Sequence, residues 1–295
     1  MSHTDKDQWF QWVLHRRFGG NEQVMKEVLA MLRPVRDRVL DNARLEAGSV
    51  VLDVGTGDGL IAFGALERVG QSGRVIFSDV SEDLVTHCEA LAREMGVSDR
   101  CEFVVAAVED LHGTASESVD AVTARSVLIY VKDKPGAFRE FFRVLKPGGT
   151  VSIFEPVNRF CYDLSPDWFW GYNVAPVQSA ALKLRQLYER LQPLDSDPML
   201  DFDERTLLAL AGEAGFRQIV VDLSLQVKPM PAESWETLSK RAMNPKIPTL
   251  EEAVAQTLSD EEAGQFTRHL RPLVENGIGI ARSAAAYLSA TKLPA

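Results

Sequence analysis

The hydrophobic rhythm of the chain changes several times. Residues 8–47 carry apolar positions at helical spacing in two stretches, WFQWVLHRRF and EQVMKEVLAMLRPVRDRVLDNARL, parted by Gly19, Gly20 and Asn21. Pro34 is expected to kink or end the second stretch, because its ring removes a backbone donor and crowds the preceding turn. From residue 49 short β-branched runs alternate with amphipathic stretches: SVVLDVG, LIAFGALERVG, RVIFSDV, EDLVTHCEALAREMG, CEFVVAA, VDAVTARSV, KPGAFREFFRVL and TVSIFEP. Apolar strands separated by helical patterns predict βαβ units, hence a mostly parallel sheet covered on both faces.

The rhythm breaks after Pro156. Residues 157–202 hold a dense aromatic segment, FCYDLSPDWFWGY, a helical stretch SAALKLRQLYERL and the loop QPLDSDPMLDFD, without a clean strand. The α/β pattern resumes with DERTLLALAGEAGF as a helix and RQIVVDLSLQV as a strand. A second departure, residues 229–280, is polar and helical, and ARSAAAYLSATK returns as a last strand. The expected division is a helical lid at 1–46, a core at 47–156, a first insertion at 157–202, core again at 203–228, a second helical insertion at 229–280, and the last strand with a tail at 281–295.

Composition narrows the partners more than the fold. With 45% apolar and 25% charged residues the chain is of ordinary globular type. No apolar run nears the roughly 18 residues of a membrane span. The amino terminus lacks the apolar centre of a signal peptide, and Asp5 and Asp7 argue against a transit peptide, so a cytoplasmic location is expected. A net charge of -10 opposes binding to nucleic acid, which rests on neutralising phosphates, and favours a small-molecule partner. Cys88, Cys101 and Cys161 form no C-x-x-C or Cys/His set, so neither a disulfide framework nor a metal site is expected.

The stretch VLDVGTGDG, residues 51–59, reads as a buried strand running into a glycine loop. A dinucleotide fingerprint would need a third glycine at position 60, which is Leu. The glycines are instead Gly55, Gly57 and Gly59, preceded by Asp53. Two acids, Asp53 and Asp58, oppose a phosphate ligand. Asp79 ends the next strand, about twenty residues on, where a carboxylate can accept both hydroxyls of a ribose. Its alternative role is helix capping, which Ser81 can share. Glu109 and Asp110 follow the third strand, Arg125, Ser126 and Val127 end the fourth, and Pro147-Gly148-Gly149 makes a tight turn into the fifth.

In this order and spacing, over residues 47–156, these motifs resemble those of class I S-adenosylmethionine-dependent methyltransferases, and the chain is similar to the ubiquinone/menaquinone methyltransferase-like group. The resemblance implies a Rossmann-like α/β fold: a seven-stranded, mostly parallel sheet with helices on both faces, an antiparallel terminal strand and a helical cap from the insertions. It implies S-adenosyl-L-methionine as cofactor, whose sulfonium and ammonium suit the acids. Asp53, Gly55, Thr56 and Gly57 would form the cofactor loop, with Asp53 orienting it or accepting from the ammonium. Asp79 and Val80 would meet the ribose, and Val108, Glu109 and Asp110 the adenine, with Asp110 the preferred acid. Arg125 and Ser126 would close the set. Asp58 is expected to cap the following helix.

Methyl transfer is an in-line displacement in which positioning can supply roughly 7–11 kcal/mol. A base is needed where the nucleophile carries a proton. His15 and Tyr130 are the candidates, a solvated helix position being the alternative for His15; His87, His112 and His269 are expected to be structural or on the surface. Arg16 and Arg17 could pair with the methionine carboxylate or form a solvated face. Asn158, Arg159 and Arg125 could meet a polar or anionic substrate group, unless the arginines pair with Glu155 or Asp120. Phe160, Tyr162, Trp168, Phe169, Trp170 and Tyr172 are candidates for an aromatic substrate wall or for the core of the cap. The residues after the fourth strand, Ala124-Arg125-Ser126-Val127, lack the [DNS]-P-P-[YFW] motif of nucleobase and protein amino methylation.

The expected function is O-methylation, in secondary metabolism, of an apolar or aromatic small molecule bearing a polar or anionic group, without a metal, by a monomer or homodimer. The alternatives are methylation of a peptide carboxylate, or a catalyst or regulator that binds S-adenosylmethionine without transferring its methyl.

Overall fold

A computed structural model describes residues 6–161 and 165–294. The chain begins with α1 (Gln8–Leu14) and α2 (Glu22–Asn42). Both start on short polar caps: the Asp7 carboxylate accepts the Phe10 amide, and the Asn21 side chain accepts those of Gln23 and Val24. Pro34 does not end α2, which continues to Asn42. Val39 and Leu40, beyond the proline, are buried against the sheet, and Ser152 Oγ donates to the Val39 carbonyl. This tertiary anchoring overrides the local cost of the proline.

The core follows as β1 (Val50–Val54), α3 (Leu60–Val69), β2 (Arg74–Asp79), α4 (Glu82–Glu94), β3 (Cys101–Val105), β4 (Val119–Arg125), α5 (Lys134–Val144) and β5 (Leu145–Pro156). The first departure holds α6 (Asn158–Cys161), a small hairpin of β6 (Trp168–Phe169) and β7 (Tyr172–Asn173), and α7 (Gln178–Leu191). Then come α8 (Glu204–Ala214), β8 (Arg217–Pro229), α9 (Trp235–Lys240), α10 (Leu250–Thr257), α11 (Asp260–Glu275) and β9 (Ile280–Thr291).

Seven strands form one sheet in the order β3-β2-β1-β4-β5-β9-β8. Neighbours from β3 to β5 pair in parallel, and β9 runs antiparallel to both β5 and β8. The α/β sheet expected from the alternating rhythm is therefore present, with its reversed strand at β9. Alternate residues of β1 serve opposite faces: Leu52 and Val54 join the core that holds Phe138 and Phe141 of α5, while Val51 joins the core beneath α2 and α3. The Pro147-Gly148-Gly149 turn occupies the register shift between the Val119–Leu145 and Ala121–Thr150 pairs. Strand order reverses at β1 and β4, and such a switch point opens a crevice at the carboxyl ends of the strands.

The two departures share one core. Phe169, Tyr172 and Leu184 of the first pack with Leu250, Phe266 and Leu270 of the second. Capping boxes at Thr249–Glu252 and Ser259–Glu262 start α10 and α11. The β6–β7 hairpin, absent from the sequence expectation, turns through Trp170 and Gly171, both at positive φ (51° and 82°). At Gly171 a Cβ would lie 2.3 Å from the Ile280 carbonyl oxygen, so only glycine fits.

Candidate active site

The loop after β1 forms the floor of the crevice. Gly55, Gly57 and Gly59 have φ of 63°, 56° and 80°, a left-handed run that favours glycine. Each serves a different end. A Cβ at Gly55 would lie 2.4 Å from Val127 Cγ2, and one at Gly59 2.5 Å from Phe63 Cε2, whereas at Gly57 no atom comes nearer than 3.9 Å. Gly57 thus leaves open space in front of the backbone. Its amide donates to Asp79 Oδ2 (3.0 Å), and the Ser81 amide to Asp79 Oδ1 (2.9 Å). Asp79 is buried, and burial pushes its carboxyl above the usual range against the pull of those amides. Ser81 Oγ caps α4 through the Leu84 amide, which leaves Asp79 to the loop and the crevice.

Asp53 lies under the loop and not on the crevice wall. It is 2% exposed and accepts from Thr123 Oγ1 at 2.7 Å, across the β1–β4 pairing that sets Asp53 opposite Thr123. Burial pushes its carboxyl up to about 7. Asp53 is thus held beneath the loop by a hydrogen bond across the sheet and does not line the cavity. Thr56 is likewise buried beneath the loop, its amide donating to the Ser78 carbonyl (2.9 Å) and its hydroxyl without a partner.

The segment after β4 forms the opposite rim. Ser126 has φ 57°, and the amides of Val127, Leu128 and Ile129 donate to Glu155 at 2.9, 2.9 and 3.3 Å. Glu155 is fully buried, which pushes its carboxyl up to about 7 despite those donors. Glu155 is thus a loop anchor and not a partner for arginine. Asp120 is also taken, by Lys146 Nζ (2.8 Å) and the Val50 amide (2.8 Å). Arg125, Ser126, Val127 and Tyr130 all face the resulting cavity.

The lid closes over both rims. Trp9, Trp12, Val13 and Arg17 line the cavity, and Trp9 meets Tyr130 edge-on with ring centroids 4.9 Å apart. Ion pairs fix the lid to the cofactor loops: Lys6–Asp83 at 2.6 Å and Arg17–Asp58 at 2.7 Å. Asp7 accepts from Ser81 Oγ, and Trp12 Nε1 donates to the Ala242 carbonyl (2.9 Å) beyond α9. Asp58 therefore serves Arg17; its contact with the Leu60 amide is long, 3.4 Å, and Gly59 is the residue at the N-cap of α3. Arg16 pairs with Glu252 at 2.9 Å, away from the cavity.

Besides Asp53 and Thr56, three further sequence candidates fall outside the cavity. His15 ends α1 and packs on the Phe10 ring instead of lining it. Arg159 is half-exposed and 3.6 Å from Asp195, because α6 turns it away while Asn158 stays on the wall. Asp110 is exposed beside His112: the turn from Ala107 to Asp110, closed by the Asp110 amide on the Ala107 carbonyl (3.0 Å), sends Glu109 to the cavity instead. Val80 and Val108 line it as expected. Tyr130 is in place, but burial pushes its phenol far up, so it is a neutral donor and not a ready base.

This first cavity has a volume of about 570 Å³. A second, of about 520 Å³, adjoins it through Pro156, Asn158 and Met243, and its walls include Trp168, Phe169, Trp170 and Tyr188. Tyr172 is buried in the cap core and Phe160 is exposed, so the aromatic segment divides between wall and core. Tyr162 lies outside the described residues. Among those residues no three His, Cys, Asp or Glu side chains could hold a metal, and no helix is long and apolar enough to cross a membrane.

The sequence reading missed Trp9 and Trp12, although their i, i+3 spacing on one helix face was a signal. It also missed Glu155 as an anchor, for which the only signal was an acid at the end of an apolar strand. Met199, Met243 and Lys132 carried none.

An open backbone at Gly57, a strand-end carboxylate at Asp79 and Glu109 on the third loop suit a nucleoside with a cationic, phosphate-free tail. On a switch-point cleft of this sheet they define a class I S-adenosylmethionine-dependent methyltransferase. The chain belongs to the ubiE/COQ5 methyltransferase family, whose model matches residues 11–223. It is 31% identical over 196 residues to the ubiquinone/menaquinone biosynthesis C-methyltransferase UbiE of Cronobacter sakazakii, covering 61% of this chain and 71% of that one. Among solved structures, the YcgJ protein of Bacillus subtilis has a TM-score of 0.54 at 20% identity, covering 88% of this chain and 98% of that one. Phosphoethanolamine N-methyltransferase 2 of Haemonchus contortus, in complex with S-adenosyl-L-methionine, has a TM-score of 0.52 at 17% identity, covering 97% and 56%. These structural likenesses concern the fold. The protein is an S-adenosylmethionine-dependent methyltransferase.

Proposed function

We propose that the chain methylates a small, electron-rich hydroxylated aromatic molecule of quinone-like type, at a ring carbon. The observation that carries this reading is the aromatic second cavity, which shares Pro156, Asn158 and Met243 with the first. Its volume suits a small ligand, and its aromatic walls suit a flat, apolar one. The cofactor supplies an electrophilic methyl on a sulfonium. Asp79, Gly57 and Glu109 would hold the nucleoside, Trp9 and Trp12 would exclude water, and Asn158, at the junction, would orient a polar substituent of the ring.

Carbon is favoured over oxygen by the C-methyltransferase relatives. Either route releases one proton, from the hydroxyl or from the methylated ring carbon, and neither candidate is a ready base for it, His15 being outside the cavity and Tyr130 held protonated, so the proton would pass to water and the choice of atom rests on the relatives. A peptide carboxylate would favour a cleft between the insertions, whereas their shared core makes them one roof. The test is incubation with S-adenosylmethionine and a panel of hydroquinones, catechols and monophenols, with products assigned by mass and NMR. Ring-methylated hydroquinones are expected. Exclusive methoxy products would overturn the carbon assignment, and turnover of peptide carboxylates alone would overturn the substrate class.

A further inference from the structure

We propose that β8 is the seam of a homodimer, in which two copies of the chain join their sheets edge to edge by antiparallel pairing of this strand about Leu225. Among the described residues β8 pairs with β9 alone, so its other edge offers amides and carbonyls to the outside. Soluble proteins ordinarily blunt such an edge with proline, bulges or inward-pointing charges. Here these devices stand only at the two ends: the register shift between Arg217 and Val220, where Gln218 has φ 50°, and Pro229. From Val220 to Lys228 the ladder to β9 is regular. The strand is also apolar on the outside: Leu223, Leu225 and Val227 share one face and are 40, 52 and 65% exposed. Their neighbours across the ladder are Ala286, Ala284 and Arg282, and the alanines are too small to cover them. Val221, upstream on the same face, packs against the core that includes Leu207 and Leu210 of α8, so the exposed strip begins where that core stops.

The charges on the strand select both the occupant and the register. A two-fold axis pairs the strand with its own copy, each residue meeting the one equally far beyond the axis. With Leu225 on the axis, Leu223 meets the copy's Val227, Ser224 meets Gln226 and Asp222 meets Lys228, and each of these contacts is made twice. The apolar side chains then gather on one face of the joined sheet and the opposite charges on the other. An axis at Ser224 would set Asp222 against Gln226 and Lys228 against Val220, and an axis at Asp222 or at Lys228 would oppose like charges. An axis between residues would lay the apolar face of one strand beside the polar face of the other. Opposite charges facing across an antiparallel pair stabilise it, and like charges weaken it. Both groups are available: Lys228 makes no hydrogen bond or ion pair among the described residues, and Asp222 gives only Oδ2 to Arg38, in a solvent-exposed pair. Ala284 and Arg282, which pair with Leu225 and Val227, line the second cavity, so the seam lies one strand away from that cavity's wall.

Sedimentation velocity of the full chain, from about 1 to about 100 µM, reads the association. The wild type is expected to sediment as a dimer. Asp222→Lys and Lys228→Asp each set like charges across both ends of the seam and should weaken the dimer by about tenfold or more. Combining the two changes restores opposite charges in reversed order and should recover it. Leu225→Lys, which puts two ammonium groups on the axis, should give monomer. None of these residues lines the first cavity, so an unchanged affinity for S-adenosylhomocysteine controls for folding. As an independent reading, Leu225→Cys sets two thiols within disulfide reach across the axis, and mild oxidation should link that variant into a covalent dimer but not the wild type with its own three cysteines. A wild type that stays monomeric at the highest concentration would overturn the seam; if that monomer pelleted with lipid vesicles, the strip would belong to a membrane surface instead. A dimer indifferent to Leu225→Lys and to both charge changes would be built on another face. Failure of the combined variant to recover, or of Leu225→Cys to cross-link, would overturn the register about Leu225.

Discussion

At the residue scale the glycine loop makes a contrast that can be measured. Gly55→Ala would drive a Cβ into Val127 and strain a φ of 63°, displacing the rim that Glu155 holds. A loss of about 1–3 kcal/mol in unfolding free energy is expected. Gly57→Ala carries similar backbone strain but meets open space, so its added effect falls on the ligand: S-adenosylhomocysteine affinity should drop more than stability does. Equal effects of both substitutions on both quantities would contradict this division. Asp79→Ala should weaken S-adenosylhomocysteine by roughly 1.5–3 kcal/mol, read by calorimetry. The glycines and Asp79 were legible because their meaning is local, set by a strand and the turn that leaves it. The errors at Asp110 and Arg159 came from one residue of side-chain direction, which a short turn decides and a pattern does not. Glu155 and the Arg17–Asp58 pair were illegible because their partners lie far off in sequence.

At the element scale the lid is the part whose attachment can be loosened alone. Asp83 accepts both from Lys6 Nζ and from the Asp7 amide, and it sits at the start of α4, next to the Ser81 that also holds Asp7. The Lys6–Asp83 pair is about a quarter exposed, so its removal should cost global stability no more than about 1 kcal/mol. Asp83→Ala should instead raise amide hydrogen exchange across α1 while α3 and β1 stay protected. Uniform loss of protection would show that α1 is integral to the core and not a separable cover. Apolar spacing along the chain was enough to reveal the helices here. Of the sequence's two expectations at Pro34, an end to the helix is not met, Val39 and Leu40 packing against the sheet beyond it, and the sequence was silent on the β6–β7 hairpin, whose strands are too short to show a period.

At the scale of the whole molecule, the order of strands followed from the alternating rhythm, but the union of the two insertions into one roof did not. That union depends on Phe169 and Tyr172 meeting Phe266 and Leu270 across about a hundred residues, a distance over which no periodicity speaks. The same burial has a consequence for the stability of the entire fold. Asp53 and Glu155 are both held in the folded protein with carboxyls pushed up to about 7, whereas unfolded carboxyls titrate near 4. Between those values the folded protein binds more protons than the unfolded chain. Their contribution is therefore complete below about pH 4, declines as pH rises, and is gone above about 7. Surface acids with lowered values, such as Asp203 on its own cap and Glu140 beside Arg143, act in the opposite sense but are largely solvated and count for less. The urea midpoint should accordingly be higher at pH 5 than at pH 8, by an unfolding free energy on the order of a few kcal/mol. Glu155→Gln, which keeps an acceptor for the amides of residues 127–129 and removes the titration, should flatten that slope in part, Asp53 and the likewise raised Asp79 keeping the rest. A midpoint that climbs from pH 5 to 8, or a slope untouched in Glu155→Gln, would mean that the two buried carboxyls are ionised in the fold and that their backbone and hydroxyl donors outweigh the loss of water.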